Sequence, residues 1–138
     1  MPTVFVVDSE AMRGNSLLQT VREAGYHTLP MANADMALAV LNAIRADLLL
    51  VDLSHADTGG SRLIEEVRRN DQLRRMPILA IGGDATAADF RRLKHRVGIG
   101  EVLADGEYTR AELVREIQKY LAKPSDTYGD QTALEWTN

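Results

Sequence analysis

The 138-residue sequence contains no cysteine, and aromatic residues make up only 5% of it. The absence of cysteine excludes disulfides, thiol chemistry and cysteine-based zinc sites. No apolar run approaches the roughly 20 residues that a membrane-spanning helix needs. The opening residues, 1–3, lack the basic region and the cleavage site of a signal peptide. We therefore expect a cytoplasmic protein that has no membrane partner.

Hydrophobic residues make up 45% of the chain and charged residues 26%, which is typical of a globular protein with one core. The formal net charge of -4 argues against a general nucleic-acid binder. We therefore expect no direct nucleic-acid partner.

Short apolar runs alternate with segments of helical periodicity along most of the chain. The apolar runs predict strands at 3–7, 26–31, 47–52, 77–81 and 101–104, and the periodic segments predict helices at 10–24, 33–45, 61–69, 86–96 and 109–122. Strict alternation predicts an α/β fold in which helices cover both faces of a parallel sheet. The run at 47–52 is apolar almost throughout, as expected for a strand buried on both faces.

Local signals refine the predicted boundaries. Asn33 and Ser61 are suited to begin helices, and Pro30 indicates an edge strand. Thr109 and Glu112 have the spacing of a capping box, and Leu113, Ile117, Tyr120 and Leu121 are expected to face the core. Lys123-Pro124 predicts the end of the last helix, so that residues 1–122 form the domain. Residues 123–138, including Trp136, are predicted to be a C-terminal tail or linker.

Polar residues and glycines follow the predicted strands where each one ends: Asp8-Ser9-Glu10, Asp52, Gly82-Gly83 and Asp105. Ligands of open parallel sheets bind beyond the carboxyl ends of the strands. The functional site is therefore expected at this edge.

Several of these segments together resemble the receiver domain of bacterial response regulators, over residues 3–122. They are VFVVDSE, LLLVDL with Asp52, Gly60 eight positions later, PILAIGG and VGIGEVLAD. The resemblance implies a flavodoxin-like (βα)5 fold, doubly wound, with a five-stranded parallel sheet in the order 2-1-3-4-5.

The resemblance also implies a phosphorylation switch, in which a histidine kinase transfers a phosphoryl group to Asp52. Acids after the first strand would hold Mg²⁺, and a hydroxyl residue ending the fourth strand would bond the phosphoryl group. A lysine ending the fifth strand would pair with that group, while an aromatic residue on this strand turns inward. The face formed by the fourth helix, fifth strand and fifth helix would dock a partner.

This sequence departs from that pattern at four positions of the phosphorylation switch itself. Ser9 replaces the second acid, Gly82 the hydroxyl residue, Val102 the switch aromatic and Asp105 the lysine. Asp8 matches the first acid, and Glu10 adds a further acid to the expected pocket. These departures indicate an atypical variant, a pseudo-receiver.

Asp8, Asp52 and Asp105 would converge without a lysine to offset them, and like charges this close oppose one another's ionisation. A phosphoryl group would add a charge of about -1.5 to -2 at neutral pH beside Asp105. We expect no cofactor, or only weak Mg²⁺ at Asp8 and Asp52. Two alternatives stay open: Asp105 supplies the carboxylate that Ser9 lacks, or Arg13 replaces the missing cation.

We therefore predict a non-enzymatic interaction module of a two-component-type pathway that works without phosphorylation. Its partner would be a histidine kinase, an output protein or a scaffold. By analogy with receivers, the same face could also form a homodimer. The basic helix predicted at 86–96 offers Arg91, Arg92, Lys94 and His95 as a partner face, or forms a solvated surface. The alternative function is a single-domain response regulator phosphorylated at Asp52 with unorthodox metal-assisted chemistry. A small-ligand site at the same edge is a third hypothesis.

Overall fold

A computed structural model describes residues 2–10, 16–54, 58–82, 101–104 and 109–127. Its strands are β1 (Thr3–Val7), β2 (His27–Met31), β3 (Leu48–Asp52), β4 (Ile78–Gly82) and β5 (Glu101–Ala104). Its helices are α1 (Ser16–Glu23), α2 (Ala34–Leu41), α3 (Gly60–Arg69) and α4 (Arg110–Thr127). The helix predicted at 86–96, with the partner-face residues Arg91, Arg92, Lys94 and His95, lies outside the described residues, as do Arg13 and Asp105.

The strands form one parallel sheet in the order β2-β1-β3-β4-β5. The predicted order 2-1-3-4 is confirmed for the first four strands, and β5 adjoins β4 with Ala104 opposite Gly82. Pro30 lies on β2, which is an edge strand, as predicted. A proline has no backbone N–H to donate, and an edge strand has one side on which none is needed.

Helices cover both faces of the sheet, and alternate residues of β3 enter two separate cores. Leu49 and Val51 pack with residues of α2 and α3, whereas Leu48 and Leu50 pack with residues of α1 and α4. All four side chains are fully buried. The prediction that this apolar run is covered on both faces is therefore confirmed.

Two predicted helix starts are confirmed, and one is wrong. The Asn33 side chain accepts a hydrogen bond from the N–H of Met36 at 2.9 Å, and Thr109 and Glu112 form the reciprocal bonds of a capping box. Ser61 does not begin α3, because Gly59 is its N-cap with a left-handed φ of 73°. A left-handed residue at this turn favours glycine, which the diglycine supplies one step earlier than predicted.

Two helix ends differ from their predictions. α2 stops at Leu41, and a turn follows in which the N–H groups of Ala43 and Ile44 both donate to the carbonyl of Val40. α4 continues through Pro124 to Thr127, so the prediction that Lys123-Pro124 ends it is wrong. A proline inside a helix removes the hydrogen bond of its own N–H and crowds the carbonyl four residues earlier, which kinks or breaks the helix; here the helix continues for three more residues.

No helix among the described residues combines the length and the apolar composition that a bilayer crossing demands.

Candidate functional site

The carboxyl edge of the sheet brings the ends of β1 and β3 together. Val7 pairs with Val51 in parallel register, so Asp8 and Asp52 occupy neighbouring positions one step further along. Adjacent strands lie about 4.8 Å apart. The structure therefore places the backbones of these two predicted site residues side by side.

Asp8 is almost completely buried, with 1% of its surface exposed. Its Oδ1 accepts a hydrogen bond from the N–H of Glu10 at 3.1 Å, and its own N–H donates to the carbonyl of Met31 at 2.9 Å. Such a bond from residue i+2 forms a local turn at an aspartate. Asp8 thus holds the chain that leaves β1 in a turn containing Ser9 and Glu10.

Asp52 ends β3 and is only partly exposed. Its Oδ1 accepts hydrogen bonds from both the backbone N–H of Ser54 at 2.8 Å and the Ser54 hydroxyl at 2.5 Å. Bonds of this kind to an aspartate carboxylate order the following turn. The Asp52 carboxylate therefore has a structural role in the loop that follows it.

Thr58 belongs to the site, although sequence reasoning missed it. Its side chain is fully buried, and its Oγ1 accepts a hydrogen bond from the N–H of Ser9 at 3.1 Å. This bond connects the loop after β3 with the loop after β1. A threonine just before two glycines has the composition of an exposed turn, so the sequence carries no clear signal of its burial.

Gly60 lies at the start of α3, directly against the end of β3. A Cβ at this position would come within 2.7 Å of Leu53 Cδ2 and 2.8 Å of Val51 Cγ1. Real Cβ atoms do not approach other atoms this closely, so glycine allows α3 to begin against the strand that carries Asp52.

Gly82 ends β4 beside Asp52, and it is buried. Because Asp52 pairs with Ile81, Gly82 lies one position beyond Asp52 along the neighbouring strand. Because Gly82 has no side chain, this position offers Asp52 no hydroxyl to donate a hydrogen bond. In β5, the backbone of Val102 pairs with that of Ala80 in β4.

The donors available for a cation fit Mg²⁺ only in part. Asp8 and Asp52 are the neighbouring carboxylates, and within the described ranges no three His, Cys, Asp or Glu side chains are grouped to hold a metal. Mg²⁺ requires octahedral oxygen coordination and is usually bound through one or two carboxylates with several waters. A cation held by these two carboxylates would need water for most of its coordination.

No family model matches the chain, but it is similar in sequence to bacterial regulatory proteins. The polar-differentiation response regulator DivK of Brucella anthropi is 24% identical over 119 residues, which cover 86% of this chain and 95% of DivK. The transcriptional regulatory protein BaeR of Escherichia coli is 25% identical over 122 residues, 88% of this chain. These residues match only 49% of BaeR, so the chain spans about half the length of that relative.

Solved structures show the same fold. Chemotaxis protein CheY4 of Vibrio cholerae superposes with a TM-score of 0.76 at 24% identity, covering 88% of this chain and 99% of CheY4. The receiver domain of sensor histidine kinase PA1611 from Pseudomonas aeruginosa, which has a magnesium ion coordinated in its active-site cleft, gives 0.74 at 25% identity. That match covers 88% of this chain and 98% of the PA1611 domain. The chain has the CheY-like fold, and the proteins to which it is similar include a response regulator and the receiver domain of a sensor histidine kinase.

Proposed function

We propose that this chain is a receiver-type domain of two-component signalling that binds a protein partner without being phosphorylated, and that it is not an enzyme. The observation that carries this proposal is Gly82, which is buried at the end of β4 next to Asp52. A phosphoryl group on Asp52 would find no hydroxyl there to engage. A switch needs an element that responds to the modification as well as a site that accepts it.

The hydrogen bonds of Asp52 support the same conclusion. Its Oδ1 already accepts two bonds from Ser54, which hold the loop after β3. These hydrogen bonds give Asp52 a role that does not require phosphoryl transfer. We interpret it as a structural residue of the loop.

The turn after β1 adds a third argument. Ser9 stands next to the buried Asp8, and its backbone is anchored to Thr58 by the bond at 3.1 Å. A neutral hydroxyl is a much weaker ligand for a hard cation than a carboxylate. Metal-assisted phosphoryl transfer would therefore depend on Asp8 and Asp52.

The partner in this proposal is a histidine kinase, an output protein or a scaffold. The basic residues Arg91, Arg92, Lys94 and His95 of the predicted helix 86–96 are the proposed contact face. Positive side chains favour a partner with an acidic surface. This assignment rests on the sequence pattern alone, because the face lies outside the described residues.

A second function keeps one specific observation in its favour. Asp8 and Asp52 are neighbours at the carboxyl edge, and Asp52 retains partial exposure to solvent. In this alternative the chain is a response regulator that accepts a phosphoryl group at Asp52 with the help of a divalent cation.

A titration with beryllofluoride and Mg²⁺, a stable mimic of an aspartyl phosphate, distinguishes the two functions. Amide resonances are followed by NMR in the wild type and in Asp52→Asn. We expect no saturable shifts at Ser54, Thr58 or Gly82 in either protein. Saturable, Mg²⁺-dependent shifts in the wild type that disappear in Asp52→Asn would favour the phosphoacceptor function instead.

Partner capture tests the interaction itself. Wild type, Asp52→Asn and the double variant Arg91→Glu/Lys94→Glu are compared as baits under identical conditions. We expect the first two to retain the same partner and the charge-reversed variant to lose it. Retention that requires beryllofluoride and Mg²⁺ would contradict a phosphorylation-independent module.

A further inference from the structure

A groove opens at the amino edge of the sheet, opposite the candidate site. It encloses a cavity of about 500 Å³ between the loop after α2, the loop after α3 and the C-terminal half of α4. Pockets of about 300–1,000 Å³ accommodate small ligands or large side chains. Its apolar lining includes Leu41, Ile44, Leu73, Met76, Tyr120 and Leu121. We call it the amino-edge groove.

Ile44 leaves apolar surface uncovered at this groove. It is 47% exposed, and among the described residues the only other exposed large hydrophobic side chain is Met36, which does not line the groove. An exposed apolar side chain that continues into an apolar pocket indicates a binding surface, unlike one that stands alone.

The amino-edge groove also carries an unbalanced positive charge. Arg45 and Arg75 line it, and neither forms an ion pair with a described residue. Asp47 is the one acid in the lining, and its Oδ2 accepts a hydrogen bond from the N–H of Thr3 at 2.7 Å. An occupant with acidic groups would therefore be favoured.

The loop after α3 that supplies Arg75 is braced from within. Arg68, at the end of α3, donates hydrogen bonds from Nη1 to the carbonyls of Arg74 and Met76 at 2.9 Å and 2.7 Å. Burial lowers the pKa of this guanidinium from its ordinary value, although arginine stays charged at any physiological pH. The groove wall is thus held in shape before anything binds.

We propose that residues 128–138 of this chain occupy the amino-edge groove, with Trp136 in the cavity beside Ile44. The segment YGDQTALEWTN contains the acids Asp130 and Glu135 and no lysine or arginine. Leu134 and Trp136 flank Glu135, so the segment offers apolar and acidic groups next to one another. This chemistry is complementary to Ile44 with Arg45 and Arg75.

The covalent connection places the segment within reach. Tyr120 and Leu121 of α4 line the groove, and α4 ends at Thr127. The six residues from Leu121 to Thr127 carry the chain about 9 Å away along the helix. The nine residues from Thr127 to Trp136 span up to about 30 Å when extended, which is enough to return.

Docking of this kind makes the segment part of the folded domain, whereas the sequence predicted a tail or linker. It also leaves the carboxyl edge with Asp8 and Asp52 uncovered, since the groove lies at the other edge of the sheet. Occupation of the groove is therefore independent of whether Asp52 is phosphorylated.

Fluorescence of the full chain tests the proposal directly, because Trp136 is the only tryptophan. We expect emission at shorter wavelength and acrylamide quenching several-fold weaker than in a synthetic peptide of residues 128–138. Ile44→Glu should restore peptide-like quenching, because it removes apolar contact and repels Glu135. Arg45→Glu/Arg75→Glu should act in the same direction.

Met36→Glu is the matched control, since it places the same charge on the other exposed hydrophobic position and should leave the quenching unchanged. Circular dichroism verifies that each variant is folded. Peptide-like quenching in the wild type would overturn the proposal, and so would protection that survives Ile44→Glu. Protection that falls on dilution would instead assign the groove to the segment of a second copy of the chain.

Discussion

The N–H of Ser9 donates a hydrogen bond to Oγ1 of the fully buried Thr58, and this bond connects the two loops beside Asp52. Ser9 follows the end of β1, whereas Thr58 precedes α3. The two residues are 49 positions apart in the chain. The loops at the carboxyl edge are therefore held by each other as well as by the sheet.

Replacing Thr58 by valine should destabilise the domain by about 1–3 kcal/mol, because the N–H of Ser9 loses its acceptor while the side chain keeps its volume. Urea denaturation measures the change. Thr58→Ser retains the hydroxyl and should cost less than Thr58→Val. A valine variant as stable as the wild type would show that this bond does not hold the loops.

Asp52→Ala should cost about 1 kcal/mol of unfolding free energy, because both hydrogen bonds to Ser54 are lost. Asp52→Asn should cost less, since its amide oxygen can still accept them. Thermal and urea unfolding of the three proteins provide the comparison. An alanine variant that matches or exceeds the wild type would contradict the structural role of Asp52.

Gly60→Ala should destabilise the fold by about 1–3 kcal/mol, since the new methyl group would overlap Val51 and Leu53. Val51 is fully buried and branched at Cβ, so it cannot turn away. In a Val51→Ala background the cost of Gly60→Ala should shrink, because one of the two clashes is gone. Strictly additive costs in a double-mutant cycle would argue against this contact.

The capping box of α4 should make stability depend on pH. The hydrogen bond from the backbone N–H of Thr109 lowers the pKa of the Glu112 carboxyl from its ordinary value of 4.5, and the bond with the Thr109 side chain lowers it further. The stabilisation is therefore fully present above the unfolded pKa and is lost as the pH falls through the lower folded pKa.

Glu112→Gln provides the comparison for that dependence, because glutamine keeps an oxygen acceptor but does not titrate. The advantage of the wild type over Glu112→Gln should be constant at neutral pH and should disappear in the acid range below 4.5. Chemical denaturation at a series of pH values measures it. An advantage that persists at the most acid pH would exclude ionised Glu112 as its source.

Local sequence signals located most of the described elements. Asn33 was predicted as a cap, Pro30 as an edge residue and Thr109 with Glu112 as a capping box, and all were confirmed. Each of these features depends on residues within a few positions in the chain or on the absence of one N–H group. The apolar run of β3 likewise predicted burial on both faces.

Long-range contacts were not predictable in the same way. The burial of Thr58 and its bond to Ser9 join residues that are 49 positions apart in the sequence. A polar loop residue has the same local pattern whether or not another loop packs over it. The stop of α2 at Leu41 and the continuation of α4 past Pro124 were not predicted from the local pattern either.

By itself, the sequence determined the order and type of the described elements and which residues end each strand, because hydrophobic periodicity and capping are local properties. The tertiary structure alone decided that Asp8 and Asp52 become neighbours and that Asp52 bonds Ser54 through one oxygen. The amino-edge groove likewise exists only in the folded chain, where two loops and a helix meet. Strand register and side-chain packing produce these relationships, and both arise from contacts between segments that no local pattern encodes.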